Sequence, residues 1–210
     1  MVQHYAVWHD SWSGGGVAGE FIAQVNTEEL AASMPDEALV RAAAADPTAF
    51  AALYARYHLP VYRYLRLRVT TDEDAADLTQ QVFLQAWPAL GTYRERGVPF
   101  GAWLLRIARN LATNATRRAR PTVNLEQVPG LPDWREEHHP ERLALQREAI
   151  ARANLLLDTL HPEQRDLLAL RFAAGLSVRE IAAVVGVSEA AAKKRLTRLI
   201  GTLKERYDAG

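Results

Sequence analysis

Leu176 to Arg206 reads LSVREIAAVVGVSEAAAKKRLTRLIGTLKER. Ser177, with Glu180 three positions on, has the form of a capping box, so a helix starts there. Ile181, Ala182 and Val185 give that helix an apolar face, and Gly186 supplies the left-handed residue that ends it. Ser188 is the next N-cap, and Ala192, Leu196 and Leu199 recur at i, i+4 and i+7 on a second helix. Two short helices joined by a tight turn containing Gly make a helix-turn-helix. The second helix carries Lys193, Lys194, Arg195 and Arg198 behind a slim first turn of Ala190, Ala191 and Ala192. A narrow, basic N-terminal half can enter a DNA major groove without steric conflict.

Working back toward the N-terminus, His161-Pro162 opens a helix carrying Leu167, Leu168, Leu170 and Phe172, stopped at Gly175. Glu141 to Leu157 is helical by the spacing of Leu143, Ile150 and Leu157. Together these segments predict a C-terminal helix-turn-helix domain over 140–207. Ala119 to His139 is proline-containing, acidic toward its end and without a period, so it reads as a flexible linker. His138-His139 has no further ligand at helical or hairpin spacing, and no metal site or cofactor is expected.

Before the linker, Phe100 begins a helix with Trp103, Leu104, Ile107 and Leu111 on one side. Arg106, Asn110, Thr113 and Arg117 recur at i, i+4, i+7 and i+11 on the other, flanked by Arg109 and Asn114. Phe100 to Arg120 holds five arginines and no acid. A solvated arginine face normally interleaves glutamate for helix pairing. An acid-free stripe able to hydrogen-bond suits a nucleic-acid backbone with base edges beside it.

The N-terminal half is helical as well. Asp46-Pro47 is an N-cap with proline at the first helical position, followed by Phe50, Leu53, Tyr54, Tyr57, Val61 and Leu65 at core spacing across Pro60. Thr71 with Asp72, Glu73 and Asp74 opens another helix, the acids lying at its positive end. Leu78, Val82 and Ala86 form its buried stripe, and Pro88 and Gly91 are expected to end it. Its outward side shows Asp77, Gln80, Gln81 and Gln85, an amide-rich face that hints at docking. Thr92 to Pro99 is a loop. Residues 1–35, with Trp8, Trp12 and a Gly14-Gly15-Gly16 run, lack sustained periodicity and are expected to form a disordered leader, with at most a short helix near Glu20 to Ala32. Met34 is a candidate downstream start.

The chain has 210 residues, enough for two small helical domains, here 36–118 and 140–207. It has no cysteine, which removes disulfides and thiolate metal sites and agrees with a reducing compartment. No run is long enough to cross a membrane and the N-terminus lacks a signal-peptide pattern, so a cytoplasmic location is expected. The 25 basic and 25 acidic residues cancel, which argues against a nonspecific coating of nucleic acid while hiding local basic patches. No phosphate loop, nucleophile elbow or recognisable triad supports an enzyme.

Three motifs in this order are DAADLTQQVFLQAW (Asp74 to Trp87), FGAWLLRIARNLATNATRR (Phe100 to Arg118) and LHPEQRDLLALRFAAGLSVREIAAVVGVSEAAAKKRLTR (Leu160 to Arg198). With them the chain resembles the extracytoplasmic-function (ECF) sigma factors, dissociable promoter-recognition subunits of bacterial RNA polymerase. The resemblance implies an all-α fold of two small domains and no catalysis. It also implies that Asp77, Gln80 and Gln81 dock on the clamp helices of core RNA polymerase. The family pattern departs here at Gln81, where glutamate is usual, at Pro88, and at Lys194, where serine is frequent. By the same resemblance, Arg106, Arg109, Asn110, Thr113, Asn114 and Arg117 contact promoter DNA at the −10 element, and the loop Thr92 to Pro99 captures a flipped base. Ala190, Ala191, Lys193, Lys194, Arg195 and Arg198 contact the −35 element. An anti-sigma factor is a further implied partner. The alternatives are a conventional helix-turn-helix regulator that binds duplex DNA without polymerase, and a sigma-like decoy that binds no promoter.

Overall fold

In the computed structural model the described residues are 27–93, 97–116, 148 and 151–209. All their regular elements are helical. The N-terminal module contains α1 (Thr27–Ser33), α2 (Asp36–Ala43), α3 (Pro47–Arg66), α4 (Asp72–Ala89) and α5 (Phe100–Thr116). The C-terminal module contains α6 (residues 151–158), α7 (Pro162–Leu168) running into a π turn (Ala169–Ala173), α8 (Val178–Val185) and α9 (Glu189–Ala209). The linker segment 119–139, residues 94–96 of the loop, and Leu143 and Ile150 lie outside the described residues.

The helix starts follow their side chains. Asp46 accepts from the Thr48 N–H at 2.8 Å and Thr71 from the Asp74 N–H at 3.0 Å, each cap contributing about 1 kcal/mol. The α8 cap is reciprocal: the Ser177 N–H donates to Glu180 at 2.8 Å and the Glu180 N–H returns to Ser177 Oγ at 3.3 Å. Gly186 closes α8 at φ 74°, a conformation in which a Cβ is strained. Pro60 sits inside α3 without ending it, because Leu53 and Val61 are both fully buried and hold the two halves in one core.

Around α3, the other four helices of the module close the first core. Phe50 meets Trp87 with ring centroids 4.4 Å apart, and Tyr54 meets Phe83 at 4.6 Å, so α3 and α4 are joined by aromatic faces. On the other side Tyr57 packs edge-on against Phe100 at 5.3 Å. Gly101 makes that approach possible, since a Cβ there would stand 2.7 Å from Tyr57 Cε1.

One local expectation is refined and two are corrected. Within the leader, where a short helix was expected near Glu20 to Ala32, residues 27–33 form α1, which packs on α3, where Arg56 donates to the Ala31 and Met34 carbonyls and pairs with Asp36. Pro88 does not end α4: it lies in the last turn, the helix runs to Ala89, and a 3-10 turn Leu90–Thr92 follows. Phe172 leaves the apolar stripe of its helix and is 58% exposed. The wider i→i+5 turn carries the buried register to Ala169, Leu170 and Ala173 and swings Phe172 outward.

The two modules touch. α5 packs along α8, and α3 meets the π turn, so the buried apolar residues of both modules form one continuous cluster.

Candidate nucleic-acid and polymerase interfaces

On α9 the geometry is simple. Ser188 Oγ caps the helix by accepting from the Ala191 N–H at 3.3 Å. Ala192, Leu196 and Leu199 are buried against the module, which turns the opposite face to solvent. Ala190, Lys193, Lys194, Arg195 and Arg198 are exposed, whereas Ala191 is half-buried. Ala190, Lys193, Lys194, Thr197 and Arg198 line one open depression on this face. Thr197 was missed from the sequence, although it stands one turn beyond Lys193 and two beyond Ala190. The arrangement offers phosphate-binding cations around a floor of small side chains, as a groove-entering helix requires.

On α5 the stripe divides. Asn110, Thr113 and Asn114 are exposed, and the Thr113 hydroxyl donates back to the Arg109 carbonyl at 2.7 Å. Arg106 is exposed but its guanidinium donates to the Ala183 carbonyl on α8. Arg109 is half-buried, and its Nε donates to Asp166 Oδ2 on α7 at 2.5 Å. Arg117 lies outside the described residues. Burial works against the Arg109 charge, but the hydrogen-bonded Asp166 carboxylate outweighs it, and the guanidinium pKa is raised.

Asp166 is itself buried, its side chain 3% exposed. Its Oδ1 accepts from the Tyr64 hydroxyl at 2.6 Å and lies 3.7 Å from Arg68 Nε. Arg68 also donates to the Pro162 carbonyl at 3.0 Å. Burial first, then the neighbouring carboxylate, push the Tyr64 hydroxyl well above its ordinary pKa, so it remains a donor. The bond between Tyr64 and Asp166 joins residues 102 positions apart, and sequence periodicity carries no signal for it.

On α4 the expected face is present. Asp77, Gln80 and Gln81 are exposed on one side with Gln85, while Leu78, Thr79, Val82 and Phe83 are buried on the other. Leu84, 57% exposed, stands one turn beyond Gln80 and adds an apolar centre to the amide rim. Its spacing was readable, but a leucine is by default assigned to the core. Among the described residues no group of acidic or histidine side chains is placed to hold a metal ion, and no helix is long and apolar enough to cross a membrane.

Residues 53–122 match the family model of Sigma-70 region 2, and residues 150–203 match that of Sigma-70, region 4. The chain is 35% identical over 179 residues to the ECF RNA polymerase sigma factor SigD of Mycobacterium tuberculosis, covering 81% of this chain and 82% of that relative. It belongs to the ECF sigma factors. These factors associate with RNA polymerase in promoter-specific initiation and are generally DNA-binding initiation factors. The ECF sigma factor BldN of Streptomyces coelicolor is 38% identical over 169 residues, which span 80% of this chain and 63% of BldN's length. Among solved structures, CnrH in complex with the cytosolic domain of CnrY aligns with a TM-score of 0.62 and 28% identity, over 83% of this chain and 97% of CnrH. Region 2 thus carries the α4 and α5 faces, and region 4 carries α9.

Proposed function

We propose that this ECF sigma factor binds core RNA polymerase through the α4 face and reads a bipartite promoter with α5 and α9. The observation that carries the reading is three exposed faces of different chemistry in the order expected of regions 2 and 4: amide and apolar on α4, amide and basic on α5, basic with small side chains on α9. Asp77, Gln80 and Gln81, with Leu84 at their centre, make the polymerase contact at the clamp helices. Arg106, Arg109, Asn110, Thr113, Asn114 and Arg117 contact the −10 element. Ala190, Ala191, Lys193, Lys194, Arg195 and Arg198, joined by Thr197, contact the −35 element. Amide and hydroxyl groups suit base edges, whereas the cations supply the salt-dependent phosphate term.

The factor acts in the cytoplasm, where polymerase and promoter are found, without chemistry of its own. An anti-sigma protein is a proposed further partner, supported by the likeness to CnrH, which was solved with the cytosolic domain of CnrY bound. Run-off transcription with purified bacterial core polymerase and a fragment from upstream of its own gene tests the reading. A defined transcript requiring both proteins is expected. Substituting Arg106, Asn110 and Arg117 together with alanine should reduce that transcript by about a hundredfold, since each phosphate or base contact is worth on the order of 1 kcal/mol or more. Binding to duplex DNA without core binding would overturn the proposal.

A further inference from the structure

We propose that Tyr93 is a positioning residue for promoter opening: its hydroxyl fastens the chain that leads into α5 and so sets where that chain borders the −10-reading face. The link to opening rests on the promoter reading given above, whereas the fastening stands on geometry alone. Three kinds of contact meet at this one residue. Its N–H donates to the Ala89 and Leu90 carbonyls where α4 ends, both at 3.1 Å. Its ring lies on the first turn of α5, edge-on to Phe100 at 5.7 Å and tilted against Trp103 at 5.1 Å. Its hydroxyl donates to the Val98 carbonyl at 2.9 Å, two residues before α5 begins.

The platform under the ring is held from behind. Phe100 is buried and meets Tyr57 edge-on at 5.3 Å, and the Tyr57 hydroxyl donates to Asp36 at the start of α2. The return into α5 is fixed by its backbone as well. Gly97 turns the chain at φ 79°, and a Cβ there would meet nothing within 4 Å, so a side chain is disfavoured by the angle and not by space. The Pro99 carbonyl then accepts from the Trp103 N–H at 3.0 Å. A phenylalanine at position 93 would fill the same space on Phe100 and Trp103. The hydroxyl is what packing leaves unexplained, and its bond goes to the backbone of the chain entering α5.

That chain lies beside the reading face. Trp103 is half-buried, and exposed Arg106 and Asn110 follow it at i+3 and i+7, with Arg106 about 5 Å further along the helix axis. A strand resting on Arg106 and Asn110 therefore has the fastened chain at its edge. Opening a duplex requires a surface that binds the unpaired state better than the paired one. A segment already held in place binds without a further ordering cost, whereas a loose one must be immobilised as the strand arrives. The Tyr93 hydroxyl moves that cost from binding to folding.

The test is run-off transcription with core polymerase and the full chain on two forms of one promoter fragment. One form is fully paired, and the other is mismatched across the start site that the parent chain has defined. Tyr93→Phe keeps the ring and removes only the hydroxyl. It should lower transcript about fivefold on the paired form, the effect of one hydrogen bond, and stay within about twofold of the parent on the mismatched form. Binding to core polymerase should be unchanged. Gly97→Ala disturbs the same return through the backbone angle alone and should show the same split between templates. Equal transcript from parent and Tyr93→Phe on the paired form overturns the proposal. So does an equal loss on both forms, which is what general weakening of the module would give. Should Tyr93→Phe lose helicity by circular dichroism, Gly97→Ala decides by the same two criteria. A parent chain that binds core yet yields no transcript from either form overturns the promoter reading itself, and the role in opening with it.

Discussion

The two basic helices, α5 and α9, carry similar charge yet stand in opposite conditions. α9 turns Lys193, Lys194, Arg195 and Arg198 to solvent, because its buried side is a narrow stripe of Ala192, Leu196 and Leu199. α5 is embedded: Leu104, Leu105, Ala108 and Ala112 are buried, and its cations reach the neighbouring module. A cation at the surface contributes to ligand binding and little to stability, whereas one beside a buried carboxylate contributes to both. Mutating the two helices should therefore produce different phenotypes from the same chemical change.

The sharpest contrast is between Arg109→Ala and Arg198→Ala. The first leaves the buried Asp166 with Tyr64 and a more distant Arg68, and should cost about 2–3 kcal/mol in urea unfolding of the intact chain. The second should stay within about 0.5 kcal/mol of the parent and instead reduce the salt slope of promoter binding by about 0.9. Equal stability losses would erase the distinction between the helices.

Backbone glycines sharpen it further. Gly101→Ala in α5 drives a Cβ into Tyr57, whose ring is held by its hydroxyl bond to Asp36 and by Phe100. Overpacking should outweigh the gain in helix propensity, with a net loss of about 1–2 kcal/mol and a lower Tm. Gly201→Ala in α9 meets nothing within 4 Å and should raise stability by about 0.5 kcal/mol. A neutral Gly101→Ala would show that α5 is not held as close to α3 as Tyr57 implies.

Much of the local structure was legible because it depends on neighbours in sequence. Ser177 and Glu180 bond each other within one turn, Asp46 and Thr71 cap the helices that follow them, and Gly186 takes up its left-handed angle. The acid-free stripe on α5 and the amide face on α4 were visible because helical spacing brings those residues together. What the sequence concealed was where each stripe would be used. The cations Arg106 and Arg109 satisfied the same pattern as Lys193 and Arg198, and nothing in spacing distinguishes a guanidinium facing solvent from one facing Ala183 or Asp166. Asp166 itself, one acid in an ordinary charged turn, gave no sign of burial. The docking of α1 was hidden for a related reason: a short helix was legible near Glu20 to Ala32, but its place on α3, with Arg56 donating to the Ala31 carbonyl, depends on contacts distant in sequence.

By itself the sequence determined an all-helical chain, its cap positions, a helix-turn-helix and the chemistry of three outward faces, since each follows from interactions spanning a few residues. Only the tertiary structure decided that the two modules meet, that α1 belongs to the first of them, and that Arg106 and Arg109 lie in the joint. Those outcomes depend on contacts as far apart as Tyr64 and Asp166. Such pairs are selected by shape and by the high cost of leaving a buried charge without a partner, a cost that no local pattern records.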